Sequence, residues 1–340
     1  MRLNLSGGLP PLLEDLELDR SLLEELEEGF RLRLENFGGK LLFHSPGFKH
    51  YEVEDFSLKT GPKFVDISIT GRNCELMCDH CASKILWHMI PATTPEELWK
   101  VGLELKQKGV EGVLISGGSN KEGVVELYPF FGVMKRLKEE LGMFVSCHVG
   151  LVDEELARGL KDAGVDAVLL DIIGDNETIA QVYKLPHKRV EDYEESLRLL
   201  KKYGHNIVPH IIIGLHYGRI KGEYRAIDLI SQFDPSALVI VVVMPYYGKA
   251  RFQLLPPPTP EESARVLLYA RKALPKRPVV VGCARPAGQE RVKLDLYALH
   301  AGVNGITFPA EGVFTYAKSI GLEPVISPNC CSTSFLYLNL

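Results

Sequence analysis

"VEGVLISGGSNKEGVVELYPFFGVMKRLKEELGMFVSCHV", residues 110–149, decides the fold. It opens on an apolar, β-branched run (110–116) and continues through a stretch with helical spacing of apolar residues (124–141), which Gly142 closes. It ends on a second strand-like run (143–149). Short apolar runs bounded by turn residues read as buried strands, and a 3.6-residue period between them reads as a helix. The unit recurs on both sides: strand runs stand at 64–70, 166–172, 206–213, 237–244, 278–284 and 303–308. Helical patterns stand at 94–108, 153–163, 190–203, 221–232, 259–274, 289–301 and 311–320. Gly109, Gly164, Gly204 and Gly302, like Gly142, sit where a helix ends and the chain turns left-handed into the next strand. Eight such units with near-continuous apolar strands predict an α/β fold, a (βα)8 TIM-type barrel. A doubly wound open sheet is the structural alternative.

Outside this rhythm the chain divides into three expected regions. Residues 1–60 read as an N-terminal extension, with acidic amphipathic helix over 10–35 and a small hairpin in "GGKLLFHSPGFKHYEVEDF" (38–56). The barrel occupies 61–325, and 326–340 form a tail expected to lie over the barrel mouth. At 340 residues and 46% hydrophobic content the chain can bury a large core. A net charge of −5 without long runs of one sign does not suggest a nucleic-acid surface. The acidic residues of "MRLNLSGGLPPLLEDLELDR" are unlike a signal peptide, and no apolar run has the length of a membrane span. These features predict a cytoplasmic protein with neither nucleic-acid nor membrane partner. In that compartment seven cysteines point to metal or catalysis, not to disulfides.

Three of the seven cysteines crowd into "GRNCELMCDHCAS" (71–83), where Cys74, Cys78 and Cys81 are spaced Cys-x3-Cys-x2-Cys. The segment follows the first barrel strand, and in such barrels chemistry sits in the loops after the strands. One reading is a structural zinc site, for which His80 and His88 are the nearby candidates for a fourth ligand. The other is a [4Fe–4S] cluster with three thiolates and one iron left for a ligand. Cys147 and Cys283 also end predicted strands on that face, and Cys330 and Cys331 lie on the tail. Each alone could be a small core residue. Together they make a group of four, the number a second cluster uses, with Arg285 or Ser332 as a substitute ligand should one of the adjacent pair not bind.

The spacing after strand one resembles the signature of the radical S-adenosylmethionine (SAM) superfamily. The resemblance implies a [4Fe–4S] cluster on Cys74, Cys78 and Cys81. Its open iron would bind the amine and carboxylate of S-adenosylmethionine, whose reductive cleavage yields a 5′-deoxyadenosyl radical. It further implies cofactor contacts at His80, beside the third cysteine, and at Gly117 and Gly118 in "ISGGSN". Asp171 would reach the ribose hydroxyls, and Gly214 would lie against the adenine. Read without the resemblance, the glycines are tight turns and Asp171 is a helix cap.

Over nearly its whole length the chain is similar to the biotin synthase-like branch, whose sulfur-inserting members sacrifice an auxiliary cluster. With "NCCSTS" near the end, it also resembles subunits of two-component lipoyl synthases. That resemblance implies sulfur insertion into a protein-bound octanoyl-lysine. It implies as partners an octanoylated carrier protein or peptide, a second synthase subunit, and ferredoxin or flavodoxin as electron donor. The alternatives are a biotin synthase-like enzyme of other specificity (mutase, lyase or cofactor maturase) and an iron–sulfur scaffold or electron carrier.

Overall fold

The computed structural model describes residues 16–46 and 63–338, together with the backbone of two short strands at 52–53 and 56–57. All eight expected strands form: β4 (Phe64–Ser68), β6 (Gly112–Ser116), β7 (Phe144–Val149), β8 (Ala167–Asp171), β9 (Ile207–Ile213), β10 (Leu238–Val242), β11 (Val279–Val281) and β12 (Gly305–Thr307). Three further strands join them: β1 (Lys40–His44), β5 (Ile90–Pro91) and β13 (Glu323–Ser327). The result is a curled parallel sheet of eleven strands in the order β13-β1-β12-β11-β10-β9-β8-β7-β6-β4-β5. This is the TIM-type architecture in half-barrel form: among the described residues, the end strands β13 and β5 are not hydrogen-bonded to each other.

The N-terminal segment differs from expectation. Lys40–His44 is not a hairpin arm but a parallel strand between β12 and β13, with Leu42 opposite both Gly305 and Val325. The helix Arg20–Phe37 packs on the helices Pro260–Ala273 and Gln289–His300. Residues 20–44 are therefore built into the fold. Among the described residues of the expected hairpin region, β2 (Glu52–Val53) and β3 (Phe56–Ser57) pair antiparallel. The expected helix over residues 10–15 lies outside the described residues.

Strand parity decides what faces what. On β6, Val113 and Ile115 point to the helices while Leu114 points into the barrel. On β8, Val168 and Leu170 point outward, and Ala167 and Leu169 inward. Each apolar side chain buried fully in either layer contributes about 1.5–3 kcal/mol. The helices start where the sequence supplies an acceptor for their orphan N–H groups: Thr94, Asp153, Asp175 and Thr259 each accept a backbone hydrogen bond at a helix start.

The tail returns to the barrel and enters it. After β13 the 3-10 turn Cys331–Leu336 lies among inward-facing side chains, Cys331 packing with Leu169, Val208, Val239 and Val280. His44 Nδ1 lies 3.1 Å from the Asn329 carbonyl and its Nε2 2.8 Å from Ser334 Oγ, so one inward histidine of β1 holds both ends of the turn. Among the described residues no helix is long and apolar enough to cross a membrane.

Candidate active site at the C-terminal ends of the strands

Because the sheet is parallel, the loops after β4, β6, β8, β9 and β11 open on one face. The cysteine loop after β4 is tied to its neighbours by its backbone. Glu75 N–H donates to the Ser119 carbonyl (3.0 Å) and Asp79 N–H to the Val182 carbonyl (2.9 Å). The buried Asp79 carboxylate accepts from Tyr217 Oη (2.9 Å) and pairs with Lys184 Nζ (2.8 Å) and Lys249 Nζ (3.1 Å). Met77, Ala82 and Ser83 adopt left-handed backbone, which winds the chain tightly around the three thiols. Cys78 is buried and Cys74 and Cys81 half-buried. A hydrogen bond from Cys78, with His80 alongside, drives the Cys81 thiol down, while Cys78 is pushed up by the same bond and by burial.

Gly117 and Gly118 are needed for closeness, not for a left-handed turn. A Cβ on Gly118 would stand 2.0 Å from the Asn73 carbonyl oxygen and 2.5 Å from Cys74 Cα, and one on Gly117 would stand 2.9 Å from Ile69. Gly118 N–H donates to Thr70 Oγ1 (2.7 Å), which itself donates to the Asn73 carbonyl. The glycine pair thus lets the loop after β6 lie directly against the cysteine loop.

Asp171 ends β8 pointing inward. It is not a helix cap; Asp175 fills that role. Tyr183 Oη donates to Asp171 Oδ2 (2.7 Å), and His148 Nε2 lies 3.5 Å from Oδ1. Burial would raise this carboxyl, but these partners and the nearby His210 outweigh it and hold it below the usual range. The His80 ring stacks on Tyr183 at 5.0 Å, with a buried Nδ1 that has no hydrogen-bond partner. Gly214 is a turn with φ of +80°; its N–H donates to Glu223 Oε1 (2.8 Å) and Pro258 fills the space beside its α-carbon. Its carbonyl accepts from Gly218 N–H (2.8 Å), so the backbone polar groups of Gly214 are already used within the protein.

The second group of cysteines is divided. Cys330 and Cys331 Sγ atoms lie 3.9 Å apart, and the Cys331 thiol is pushed up by Cys330, by burial and by the neighbouring Cys283. Ser332 Oγ lies beside Cys330, and Thr307 Oγ1 beside Cys331; both are buried without a hydrogen-bond partner of normal geometry. Cys147 does not join them. It follows Ser146 on β7 and so points away from the barrel, its thiol 3.9 Å from Met134 Sδ in the helix Phe131–Glu139. Burial pushes that thiol far up. Its expected place as a cluster ligand is corrected by strand parity. Cys147→Ser should cost about 1–3 kcal/mol, because a hydroxyl replaces a thiol in apolar packing. Iron bound per chain should not change, which calorimetry and iron analysis check together.

Arg285 is corrected in the same way. It is fully buried, pairing Nε and Nη2 with Asp295 at 2.7 and 2.9 Å and donating to the carbonyls of Gly282, Thr307 and Phe308. With its donors all engaged, it is a staple between the ends of β11 and β12 and has no free edge for a cluster. Sequence reasoning passed over the inward-facing His148, His210 and Asp66. Their rings and carboxyl line the barrel, the two histidine rings meeting edge-on at 5.2 Å. Burial raises Asp66 to about 7 and, with His148 nearby, lowers His210 to about 4. Alternation with the apolar Val145 and Val149 was the signal that could have found His148.

Three thiols, a glycine pair against them and a buried imidazole nitrogen without partner fit a cysteine-ligated cluster and a polar ligand beside it. Residues 68–218 match the Radical SAM superfamily. The matched stretch runs from the end of β4 past the end of β9, and includes Cys74, Cys78, Cys81, Gly117, Gly118, Asp171 and Gly214. The chain is 24% identical over 260 residues to a biotin synthase of Pelobacter propionicus, covering 75% of this chain and 74% of that one. It is 28% identical over 234 residues to a biotin synthase of Geotalea uraniireducens, covering 65% of this chain and 67% of that one. In fold it is similar to methylornithine synthase (TM-score 0.59, 16% identity, 95% of this chain and 93% of that one). It is also similar to the FeFe-hydrogenase maturase HydG from Carboxydothermus hydrogenoformans (TM-score 0.63, 11% identity, 97% of this chain and 80% of that one).

Proposed function

We propose that this chain is a biotin synthase-like radical SAM enzyme that acts on an unactivated C–H bond of a substrate held in the barrel. The observation that carries the reading is the Cys74–Cys78–Cys81 loop, wound against Gly117 and Gly118 within the matched region. Cys74, Cys78 and Cys81 would hold a [4Fe–4S] cluster, which when bound supplies the electron for reductive cleavage of S-adenosylmethionine. The chain's own part is positional. Asp79, with its two lysines and Tyr217, fixes the loop; Asp171, His148 and Tyr183 present polar groups toward the lumen; and apolar side chains below exclude water from a reactive carbon.

Sulfur insertion is supported by the relatives named biotin synthases and by the group Cys283, Cys330 and Cys331, with Ser332 beside it, as a second iron–sulfur site. The acceptor implied by the resemblance to two-component lipoyl synthases is a protein-bound octanoyl-lysine, delivered with a second synthase subunit. The competing reading, a radical SAM enzyme of other specificity, is favoured by one observation. Cys147 and Arg285 are taken up by the protein itself, which leaves fewer donors for a sacrificial cluster.

The test is iron and sulfide per chain after anaerobic reconstitution, combined with an assay on an octanoylated lysine peptide. Cys283→Ala/Cys330→Ala/Cys331→Ala should lose about half the iron and sulfide, as expected for one of two cubane clusters, and form no thiolated peptide. It should keep 5′-deoxyadenosine formation. Unchanged iron in that variant leaves a single-cluster enzyme and the second reading.

A further inference from the structure

We infer that the surface around Trp87 and Tyr246, beside the cysteine loop, is the docking site for an acidic protein that delivers single electrons. The inference rests on the radical SAM reading and names the partner of that site. Directly after Cys81 the chain forms the 3-10 turn Lys84–His88, with Ile85 58% and Trp87 52% exposed. The loop after β10 lies against it. Lys84 Nζ reaches the Tyr246 and Gly248 carbonyls at 3.5 Å each, and the His88 and Tyr247 rings meet edge-on. That loop adds Tyr246, 58% exposed, and Leu254, 85% exposed. Large apolar side chains gathered in this way on a wet surface mark an interaction site.

Charge identifies the partner. The chain carries a net −5, yet this face is basic. Arg72 stacks over Trp87 (5.3 Å to the ring centroid) and Arg251 over Tyr217 (4.0 Å). Among the described residues, neither arginine nor Lys84 forms an ion pair with a carboxylate. Within the cysteine loop Asp79 is already neutralised by Lys184 and Lys249, and the exposed Glu75 is outnumbered by Arg72, Lys84 and Arg251. Cations without a carboxylate partner beside exposed aromatics complement an acidic surface with an apolar centre.

Position identifies the partner's chemistry. The surface is continuous in sequence with the cysteine loop, so a carrier seated there has a short path to it. The chemistry proposed above needs one electron per S-adenosylmethionine cleaved. The reduced carrier gives up that electron and leaves oxidised by one. The sulfonium C–S bond breaks to methionine and a 5′-deoxyadenosyl fragment, which takes a hydrogen atom from substrate and departs as 5′-deoxyadenosine.

The experiment uses the reconstituted full chain, a reduced low-potential ferredoxin as the protein donor, and dithionite as a donor that needs no docking. Arg72→Glu/Lys84→Glu and Trp87→Ala/Tyr246→Ala are compared with the unaltered chain for 5′-deoxyadenosine formation. The charge reversal should raise the half-saturating ferredoxin concentration roughly tenfold at low ionic strength, an effect that shrinks as salt is added. The aromatic truncation should raise it at every salt concentration. Rates with dithionite should match the unaltered chain. An unchanged ferredoxin response overturns the proposal, as does an equal loss with both donors, which would make these residues supports of the cysteine loop. A shift from dimer to monomer on Trp87→Ala/Tyr246→Ala, with the ferredoxin response intact, would assign the surface to a second copy and also overturn it. If the unaltered chain forms no 5′-deoxyadenosine with dithionite, the radical reading fails and this proposal falls with it.

Discussion

Replacing Cys74, Cys78 and Cys81 together by alanine should reduce 5′-deoxyadenosine formation with dithionite to the level of a protein-free blank. The chain should nevertheless fold. Its loop is held by groups the substitution leaves in place: the Asp79 carboxylate with Lys184, Lys249 and Tyr217, and the backbone bonds from Glu75 and Asp79. The half-buried Cys74 and Cys81 have little packing to lose, and Cys78 loses a small side chain from the edge of the core. Loss of chemistry with a near-native thermal transition is therefore the expected pair of results. The iron that remains should be that of the second site, so the same variant reports whether Cys283, Cys330 and Cys331 bind on their own. Product formation undiminished in this variant would mean that the loop is not where the reduction happens.

The second large effect is on stability. Arg285→Met should destabilise the chain by about 3–5 kcal/mol, because it strands the Asp295 carboxylate in a fully buried site. It also removes donors from the Gly282, Thr307 and Phe308 carbonyls, and Asp295 Oδ2 already accepts from the Ala310 N–H. A loss of that size lowers Tm by about 4–7 °C in a chain of 340 residues. Arg285→Met/Asp295→Leu should recover much of the loss, since replacing both members of a buried pair by apolar groups is often close to neutral. Differential scanning calorimetry measures both. Iron per folded chain should be the same in all three proteins. A variant that keeps its Tm but loses iron would return Arg285 to the role of cluster ligand.

The eight strands of the barrel were legible because each is buried on both faces and reads as a near-continuous apolar run. The strand Lys40–His44 was not, for a reason of distance. Its partners Gly305–Thr307 and Glu323–Ser327 lie more than two hundred residues away, and "KLLFH" beside glycines and a proline has the local look of a hairpin arm. β13 was hidden by Pro324 and its solvent-facing residues. In the site, the loop thiols were legible from spacing alone. The second group was misread where strand parity was ignored: Cys147 and His148 are adjacent, so only one can face the lumen, and the polar Ser146 two residues back shows which. Arg285 and Asp295 carry opposite charges ten residues apart across a loop and a helix start. Nothing local says that they meet in the core and not at the surface.

The measurement that tests the central claim most directly is made on the unaltered chain, reconstituted with iron and sulfide without oxygen and analysed for metal. It is then mixed with S-adenosylmethionine and dithionite while electron paramagnetic resonance and product formation are followed. The account predicts a reduced iron–sulfur signal that changes shape when S-adenosylmethionine is added, zinc at trace level, and methionine and 5′-deoxyadenosine formed in equal amounts. A stoichiometric zinc ion in the Cys74–Cys78–Cys81 loop, with a resonance signal indifferent to S-adenosylmethionine and no 5′-deoxyadenosine, would contradict it.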